Sequence, residues 1–529
     1  MLRRLALLAV PALVLGGLAL PSHADTDPYS GFVSEKTYVS TPYGDIRVEL
    51  HRPAKGRMPV ILQMTPYRYL YQRVDALGVP TDFYSDRYTK KGYAIAYADV
   101  LGTGESDGCW DYGGQNEAKA GAAVVEWLGT QKWSSGSVGM IGTSYDGAIQ
   151  AEIATLAPKH LKAIVPQEPV TSWYGYNYDH AVTHNSTDDD PSVSDTGYPV
   201  GTPDLFDAVL GRTPNDDLSK TPEQHAANLT DKTSECDVLD HELRGHVVDP
   251  TYGTFWEERD WALRSDRVKA AVLMQHGWRD FNTKPDQFTR YWLNLKNAKD
   301  KRAILGQWDH TDVFQSAPVT FPVDVRSYLD AFFATYLKGQ KAGLDAFPKV
   351  LSQGTDARFR STLPLTVTPT TFAFPDGGRI VNSGVETSKV DKESPSTSPL
   401  VATWATKPLT RDTRLTGGGT VTVDVSLDST RGQLDATLYD VDATGKARVV
   451  TLGLLDLRYS DSLTAPKAIV PNRTFRATVT LRPQDSFIAK GHHLVLQLAG
   501  SDAVWGLPDP VVGQVYALSH ASMALRLER

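Results

Sequence analysis

The chain has 529 residues, of which 41% are hydrophobic and 22% charged, and its formal net charge at pH 7 is −8. This length suits about two to four domains, and the composition excludes disordered, collagen-like and coiled-coil chains. The acidic balance argues against a nucleic-acid partner, and two cysteines cannot build a disulfide-rich scaffold or a four-thiolate zinc site.

The first 24 residues have the pattern of a secretory signal peptide. Arg3 and Arg4 precede an apolar run from Leu5 to Leu20, and Ala24 closes a small-residue cleavage pattern. The alternative is a transmembrane anchor, but the run is short and no polybasic stop follows it. We therefore expect a secreted, extracellular protein that is cleaved near Ala24 and has no membrane association afterwards.

From about residue 36 to residue 340 the sequence alternates between strand and helix patterns, which is typical of an α/β fold with a mostly parallel sheet. Apolar runs predict strands buried on both faces at Pro59–Met64, Tyr93–Val100, Val138–Ile141, Leu161–Pro166, Ala270–Gln275 and Ala303–Leu305. Helical patterns lie at Glu117–Leu128, Ala148–Leu156, Pro285–Leu295 and Val323–Leu337. The polar stretch from about 170 to 265 lacks such strand runs, and we interpret it as a cap inserted over the sheet.

Beyond about residue 345 the helical periodicity disappears. Alternating, Thr- and Val-rich segments predict strands at Thr420–Leu427, Gln433–Tyr439, Thr474–Leu481 and His493–Ala499. Many short strands separated by Gly-rich turns are typical of an all-β sandwich of the jelly-roll type.

The strongest local motif is Gly142-Thr143-Ser144-Tyr145-Asp146-Gly147, which follows an apolar strand and precedes a helix. A nucleophile elbow has this context, because small residues let the backbone turn sharply and expose a serine hydroxyl. The usual glycine at the fifth position is displaced, since Asp146 stands there and Gly147 follows. The alternative is an ordinary strand-to-helix turn with an incidental serine. We take Ser144 as the candidate nucleophile.

A serine nucleophile needs a histidine base and an acid that orients this base. In α/β-hydrolases the three residues occur in the order Ser, acid, His, on loops that follow strands. Asp280 and His310 each follow a predicted buried strand, whereas His276 and Asp309 share the same loops and are the competing candidates. The order along the chain favours a triad of Ser144, Asp280 and His310 over incidental packing roles.

An oxyanion hole requires two hydrogen-bond donors. The elbow directs the backbone N–H of Tyr145 at the developing charge. Tyr67 lies just beyond the end of an early predicted strand, near where hydrolases supply the second donor. On position alone, Tyr67 fits a packing role equally well.

With these motifs the chain resembles the X-Pro dipeptidyl-peptidase family and, more distantly, the cocaine-esterase and α-amino-acid ester hydrolase group. The matching stretches span nearly the whole chain after the first 24 residues and are Thr65–Tyr67, Gly102–Gly108, Gly142–Gly147, Ser172–Tyr176, Phe255–Arg259, His276–Asp280, the loop ending at His310 and Leu427–Gly432. The elbow is common to many esterases, whereas Ser172–Tyr176 and the spacing from Asp280 to His310 favour the peptidase branch.

The resemblance implies that Ser144, Asp280 and His310 are the nucleophile, the acid and the base. It also implies that the Tyr67 hydroxyl and the Tyr145 backbone N–H hold the oxyanion. The reaction needs no metal and no organic cofactor.

The resemblance further implies that Trp173 and Tyr176 form an aromatic pocket for proline, because a flat apolar ring fits between aromatic faces. The cap departs from the family's pattern, so the group that binds the free amine of the substrate has to be chosen from the residues themselves. Asp179 is our candidate because it follows the Trp-Tyr stretch. The run Asp188–Asp190 is a weaker candidate, with the composition of a solvated loop. The alternative for Asp179 is an exposed residue of the cap.

We therefore predict an α/β-hydrolase domain with an inserted, mainly helical cap, followed by an all-β jelly-roll domain. The signal peptide occupies residues 1–24, the catalytic domain 25–342 with the cap at about 170–265, and the β-sandwich 343–529.

The expected activity is release of N-terminal Xaa-Pro dipeptides from proline-containing peptides by a secreted serine exopeptidase, through an acyl-enzyme. An esterase or amidase acting on small acyl or α-amino-acid esters is the alternative, and it becomes preferable if no carboxylate faces the substrate amine. A carbohydrate-binding secreted protein is a third alternative, but it leaves the order of the triad unexplained. The sequence leaves the oligomeric state open.

The two cysteines are far apart in the chain. Cys109 follows the Gly102–Gly108 loop, and Cys236 lies late in the cap. In an oxidising compartment two cysteines are expected to pair, which would tie the cap to the sheet. The alternative is two buried thiols that never meet.

Overall fold

The computed structural model of the protein describes residues 25–26, 31–67, 83–184, 236, 249–341, 343–383, 394–396, 398–502, 505–507 and 509–528. Its helices are α1 (Phe83–Tyr88), α2 (Gln115–Thr130), α3 (Tyr145–Thr155), α4 (Trp173–Asn177), α5 (Thr254–Glu258), α6 (Pro285–Asn294) and α7 (Val325–Lys338). The strands up to residue 360 are β1 (Asp25–Thr26), β2 (Phe32–Thr41), β3 (Gly44–Pro53), β4 (Met58–Thr65), β5 (Ala94–Asp99), β6 (Ser134–Thr143), β7 (Leu161–Gln167), β8 (Tyr178–Asp179), β9 (Val182–Thr183), β10 (Ala271–Gly277), β11 (Lys301–Gly306), β12 (Val350–Gln353) and β13 (Phe359–Arg360). Those after it are β14 (Thr370–Ala373), β15 (Gly378–Val381), β16 (Ala402–Ala405), β17 (Thr413–Leu427), β18 (Gln433–Val441), β19 (Ala447–Asp456), β20 (Phe475–Ile488), β21 (His493–Ala499) and β22 (Val515–Glu528).

An eleven-stranded sheet carries the first part of the chain, with the strand order β1-β2-β3-β5-β4-β6-β7-β10-β11-β12-β13. In this order, all neighbouring strands from β5 through β4, β6, β7, β10 and β11 to β12 pair in parallel. The pairs at both ends of the sheet are antiparallel. Residues of α2, α3 and α6 belong to one hydrophobic core cluster, and residues of α1 and α7 belong to another. Because helices cover both faces, β5 and β10 are buried at every residue, as the continuous apolar runs predicted.

Two features of this sheet differ from the sequence interpretation. The antiparallel hairpin of β2 and β3 precedes the α/β alternation and was not predicted. The predicted domain boundary at residue 342 is too early, because β12 pairs in parallel with β11 and β13 then pairs with β12. The apolar segment Val350–Gln353 gains burial by extending the sheet, so the β-sandwich begins only after β13.

Part of the cap lies within the described residues. It consists of α4, the two-residue strands β8 and β9 that pair antiparallel, and α5. Ser172 accepts a hydrogen bond from the backbone N–H of Gly175 at 3.3 Å, and this N-cap starts α4. The prediction of a mainly helical cap concerns mostly residues 185–235 and 237–248, which lie outside the described residues.

The C-terminal part is a β-sandwich, in agreement with the predicted jelly-roll class. One sheet has the order β14-β22-β17-β20 with β15 also paired to β22, and the other has the order β16-β21-β18-β19. Inward-facing Val, Leu and Ile side chains from both sheets form one core cluster. No helix in the described part of the chain combines the length and hydropathy that crossing a membrane requires.

Strand β20 of the sandwich contacts the loop that follows β10. The Gln484 side chain donates a hydrogen bond to the Trp278 carbonyl at 2.7 Å. The Trp278 indole donates to the Ser352 hydroxyl at 3.1 Å, and this hydroxyl donates to the Asp485 carboxylate at 2.6 Å. All four residues are buried, so the sandwich is joined to the edge of the sheet by a chain of buried polar contacts.

Candidate active site

The three predicted catalytic residues follow the carboxyl ends of neighbouring parallel strands. Ser144 follows β6, Asp280 follows β10 and His310 follows β11. In the sheet these strands lie in the order β6, β7, β10, β11. The loops after parallel strands open at one edge of a sheet, and this is the edge where α/β folds place their sites.

The motif around Ser144 has the backbone of a nucleophile elbow. Ser144 has φ 62° and ψ −123°, a conformation that is strained for a residue with a side chain. A Cβ on Gly147 would lie 2.4 Å from the carbonyl oxygen of Gln167, so α3 can pass β7 this closely only with glycine there. The essential glycine therefore stands one position later than in the usual motif.

Asp146 takes the place of the usual glycine. Its carboxyl is buried and accepts a hydrogen bond from the Gln63 side chain at 2.9 Å. Burial raises the pKa of Asp146 to about 7, against the opposing effect of hydrogen bonds from Thr65 and Gln63. The substitution is accommodated because β4 supplies polar partners for the extra carboxyl.

Asp280 and His310 are directly hydrogen-bonded. His310 Nδ1 lies 2.9 Å from Asp280 Oδ2, and the Asp280 side chain is fully buried. Thr283 adds two hydrogen bonds to this carboxylate, one from its backbone N–H at 2.9 Å and one from its hydroxyl at 2.7 Å. Burial alone would raise the pKa of Asp280, but the charge and the hydrogen bond of His310 outweigh it and hold the pKa well below its usual range. Asp280 is therefore an ionised acceptor that keeps the His310 proton on Nδ1.

The competing residues are His276 and Asp309, which both lie near the Asp280–His310 pair. His276 is still within β10 and is fully buried, with Nε2 3.9 Å from Asp280. Burial lowers the pKa of His276 to about 4, so its ring is neutral at pH 7. Asp309 is half-buried beside His310, and burial raises its pKa. The geometry thus pairs Asp280 with His310 rather than either competitor.

The two tyrosines named for the oxyanion hole lie against each other. Tyr67 is half-buried just past the end of β4, and its ring meets that of Tyr145 edge-on at 6.2 Å. The Tyr145 hydroxyl is buried and donates to Glu117 at 2.6 Å while it accepts from the Trp110 indole at 2.8 Å. The side chain of Tyr145 is thereby held in place, which fixes the backbone next to Ser144.

The aromatic residues of α4 pack beside the elbow. Trp173 is buried between Tyr112, Tyr145 and Tyr176, with ring centroids 5.1, 5.2 and 5.8 Å away. Its indole N–H donates to Glu152 at 3.0 Å. Tyr176 is only half-buried. Of the predicted pair, Trp173 therefore forms the back of an aromatic wall and Tyr176 presents the more accessible ring.

Asp179 does not lie at a pocket mouth with its charge available. It is 8% exposed, and its carboxylate contacts Arg482 Nε at 3.1 Å and His180 Nδ1 at 2.9 Å. It lines a cavity of about 690 Å³ between α4, α6 and the sandwich. Both readings of Asp179 from the sequence, as amine ligand and as exposed cap residue, miss this pairing, because Arg482 comes from β20, 303 residues away.

We expect Asp179→Asn to destabilise the protein by about 3 kcal/mol near pH 7, because it leaves the Arg482 guanidinium buried without its counter-charge. Burial by itself raises the pKa of Asp179, but Arg482 and His180 outweigh it and lower the pKa to about 2. The ionised carboxylate thus stabilises the fold above the unfolded-state pKa of about 4, and this contribution is lost as the pH falls from about 4 to about 2.

Urea unfolding of wild type and variant measures both effects. The gap between their midpoints should be large near pH 7 and smaller near pH 3. The double variant Asp179→Asn, Arg482→Met is the control and should recover part of the loss. Equal midpoints near pH 7 for wild type and Asp179→Asn would contradict the assignment.

Two site residues escaped the sequence analysis. Glu168 directly follows β7, and its carboxyl lies within 4.8 Å of that of Asp280. The sequence carries a signal for it, because a charged residue that immediately follows a buried strand lies at the same edge of the sheet as the other candidates. Lys284 follows the Asp280 loop with φ 67° and donates to the Tyr176 carbonyl at 3.2 Å. Burial lowers the pKa of Lys284 to about 7. Nothing in the sequence around Lys284 distinguishes it from a surface lysine.

Cys109 and Cys236 are joined by a disulfide with a Cα–Cα distance of 5.5 Å. Cys109 lies in the loop after β5, so the bond attaches the cap to the same edge of the sheet that carries the candidate residues. The run Asp188–Asp190 lies outside the described residues.

Comparisons with known proteins identify the family of the chain. The profile of the X-Pro dipeptidyl-peptidase (S15 family) matches residues 45–312, and that of the X-Pro dipeptidyl-peptidase C-terminal non-catalytic domain matches residues 260–521. A putative Xaa-Pro dipeptidyl-peptidase from Streptomyces avermitilis is 26% identical, over 93% of this chain and 84% of that protein.

Solved structures share the fold over almost the full chain. A CocE/NonD family hydrolase from Staphylococcus aureus has a TM-score of 0.71 at 16% identity, with 94% of each chain covered. An α-amino acid ester hydrolase labelled with selenomethionine has a TM-score of 0.70 at 16% identity, with 98% of this chain and 100% of that chain covered. The S15 profile spans half of the sequence, including the elbow and the loops that carry Asp280 and His310. The chain therefore belongs to the X-Pro dipeptidyl-peptidase (S15) family and is a serine hydrolase.

Proposed function

We propose that this protein is a secreted exopeptidase that releases Xaa-Pro dipeptides from the N-termini of peptides through an acyl-enzyme. Peptidase activity follows from its family. The observation that carries the finer proposal is the hydrogen bond between His310 Nδ1 and Asp280, at the sheet edge that also holds the Ser144 elbow. With Nδ1 donating to Asp280, Nε2 is the nitrogen that accepts a proton.

The reaction then runs in two halves. Ser144 Oγ attacks the carbonyl carbon after proline while His310 Nε2 takes its proton, and the oxyanion is held by the Tyr145 N–H and the Tyr67 hydroxyl. His310 gives the proton to the leaving amine as the peptide bond breaks. Water then attacks the acyl-enzyme with His310 again as base, and the Xaa-Pro dipeptide leaves with the proline carboxylate.

The proline ring is proposed to lie against Tyr176, with Trp173 behind it. Trp173 is held by Glu152, so the wall is rigid before substrate arrives. Rigid aromatic faces suit a flat, apolar pyrrolidine ring.

A substrate panel tests the proposal. We expect cleavage of Ala-Pro-p-nitroanilide, little cleavage of Pro-p-nitroanilide, and a loss of at least about tenfold in kcat/KM on N-acetyl-Ala-Pro-p-nitroanilide, because a charge-assisted contact to the free amine is worth about 1.5–3 kcal/mol. Equal rates on the acetylated and free substrates would rule out an exopeptidase.

One observation favours an esterase or amidase as the second candidate. The carboxylate expected to bind the amine, that of Asp179, is already neutralised by Arg482. A preference for p-nitrophenyl acetate or an α-amino-acid ester over Ala-Pro-p-nitroanilide would support this second function.

The proposal of secretion rests on residues 1–24, which lie outside the described residues. The disulfide supports it, because such bonds persist in oxidising compartments. We expect protein recovered from the culture medium of expressing cells to begin at Asp25, as read by N-terminal sequencing. Protein found only inside the cells with Met1 retained would contradict secretion.

A further inference from the structure

Glu168 is a buried acid that the catalytic scheme above does not use. It follows β7 directly, is fully buried, and has φ 43°. A left-handed backbone is uncommon and strained for a residue with a side chain. Its backbone N–H donates to the Gln275 carbonyl at 2.9 Å, which holds this residue against β10 at the base of the Asp280 loop.

The Glu168 carboxyl is surrounded by hydrogen-bond donors. Oε1 accepts hydrogen bonds from the Gln275 side chain at 2.6 Å and from the Trp308 indole at 3.3 Å, while the Gly277 N–H lies 3.0 Å from both Oε1 and Oε2. Oε1 thus has two donors that Oε2 lacks, which leaves Oε2 as the oxygen better placed to carry a proton. One carboxyl oxygen of Glu168, one of Asp280 and a ring nitrogen of His310 all lie within 4.8 Å of one another.

Two buried carboxyl groups this close together disfavour each other's ionisation, so a single proton on one of them is the favoured state. The negative charge belongs on Asp280, which faces His310 and receives two hydrogen bonds from Thr283. Among the described residues, His276 and His310 also lie beside Glu168. His276 Nδ1 is 3.5 Å from Glu168 Oε2 and supplies no charge because its ring is neutral at pH 7, whereas His310 Nδ1 is hydrogen-bonded to Asp280. Burial and the Asp280 charge both raise the pKa of Glu168 well above its usual range.

We propose that Glu168 is a positioning residue that, as a neutral carboxylic acid, donates a hydrogen bond to Asp280 and fixes the carboxylate that orients His310. Asp280 then has partners on three sides, namely Thr283, His310 and Glu168. The role of Glu168 in turnover rests on the proposed function, whereas its protonation does not.

The first test is Glu168→Gln. A glutamine keeps an acceptor for Gln275, Gly277 and Trp308 and presents N–H donors to Asp280. We expect kcat/KM on Ala-Pro-p-nitroanilide to stay within about threefold of the wild-type value. The acid limb of its pH profile should also stay at the same pH, because a neutral amide replaces a neutral carboxylic acid. An acid limb shifted to lower pH, or a loss greater than tenfold, would overturn the proposal, since either result means that an anion has been removed.

The second test is Glu168→Met, which has a similar size but no donor. We expect kcat to fall about ten- to a hundredfold and the acid limb to move to higher pH. The reason is that an Asp280 carboxylate with one donor fewer attracts the His310 proton more strongly. Turnover and a pH profile equal to those of Glu168→Gln would overturn the positioning role. If the Met variant does not fold, the Gln profile still decides.

Infrared difference spectroscopy tests the protonation without any substrate. The spectrum of wild type minus that of Glu168→Gln, recorded near pH 7, should show the C=O stretch of a protonated carboxylic acid. A carboxylate band in place of this stretch would overturn the proposal. Asp435→Asn is the matched control, because burial also raises the pKa of this fully buried acid of β18 well above its usual range. It should remove a similar infrared band and leave the kinetic pH profile unchanged. A wild type inactive on every substrate would refute the proposed function, while the infrared result would stand by itself.

Discussion

Replacing His310 by alanine is expected to lower kcat about ten-thousandfold and to leave the protein folded. In the proposed mechanism the imidazole accepts the Ser144 proton and returns it to the leaving group, and the Asp280 hydrogen bond at 2.9 Å holds the ring in the tautomer that this role requires. Ser144→Ala and Asp280→Asn should each cause losses of the same order, since members of a triad act as one unit. Steady-state rates on Ala-Pro-p-nitroanilide, with circular dichroism as the check on folding, measure the effect.

Two controls separate the triad from its neighbours. Asp309→Asn changes an acid next to His310 that is half-buried and should keep most of the turnover. Ser144→Ala should also abolish labelling by a fluorophosphonate probe, which requires the serine oxygen. A folded His310→Ala protein with near-normal turnover would refute the triad.

Removing the disulfide with Cys109→Ala and Cys236→Ala is expected to lower the free energy of unfolding by about 5 kcal/mol. The bond closes a loop of 127 residues, and in the chain-entropy account the stabilisation grows with the logarithm of loop length. The urea midpoint of the double variant should fall, and wild type treated with a reductant should match it.

Mass spectrometry of a non-reduced digest provides the direct check on this bond. A peptide pair linked through Cys109 and Cys236 is expected. Both cysteines alkylated without prior reduction would contradict the bridge.

The sequence predicted that the loops of Ser144, Asp280 and His310 meet at one edge of the sheet, because the information there is local. Ser144 comes directly after a short apolar run, Asp280 and His310 lie in the loops that follow two others, and parallel strands bring such positions together. The same rule, applied to the segment after β7, would have singled out Glu168. Glu168 has no place in a pattern of one serine, one acid and one histidine, so only a rule that covers every charge at a strand end predicts it.

The failures concern partners that are distant in the chain. Asp179 was interpreted from its neighbours in the sequence, whereas its charge is set by Arg482 on a strand of the other domain. Likewise β12 joined the large sheet because an apolar edge was available next to β11, and nothing in its own four residues specifies that choice. Local patterns identify buried segments and strand ends, but pairing across domains depends on the assembled surfaces.

The hydrogen-bond chain from Gln484 through Trp278, Ser352 and Asp485 limits how the two domains of this enzyme can be separated or exchanged. The matching profile calls the C-terminal domain non-catalytic, yet strand β20 holds the backbone two residues before Asp280. A hydrolase domain cut free of its sandwich would expose those buried polar groups and lose the support of its acid loop. A chimaera of two relatives joined between β13 and β14 should therefore need Trp278 and Ser352, the partners of Gln484 and Asp485, to match the parent that supplies the sandwich.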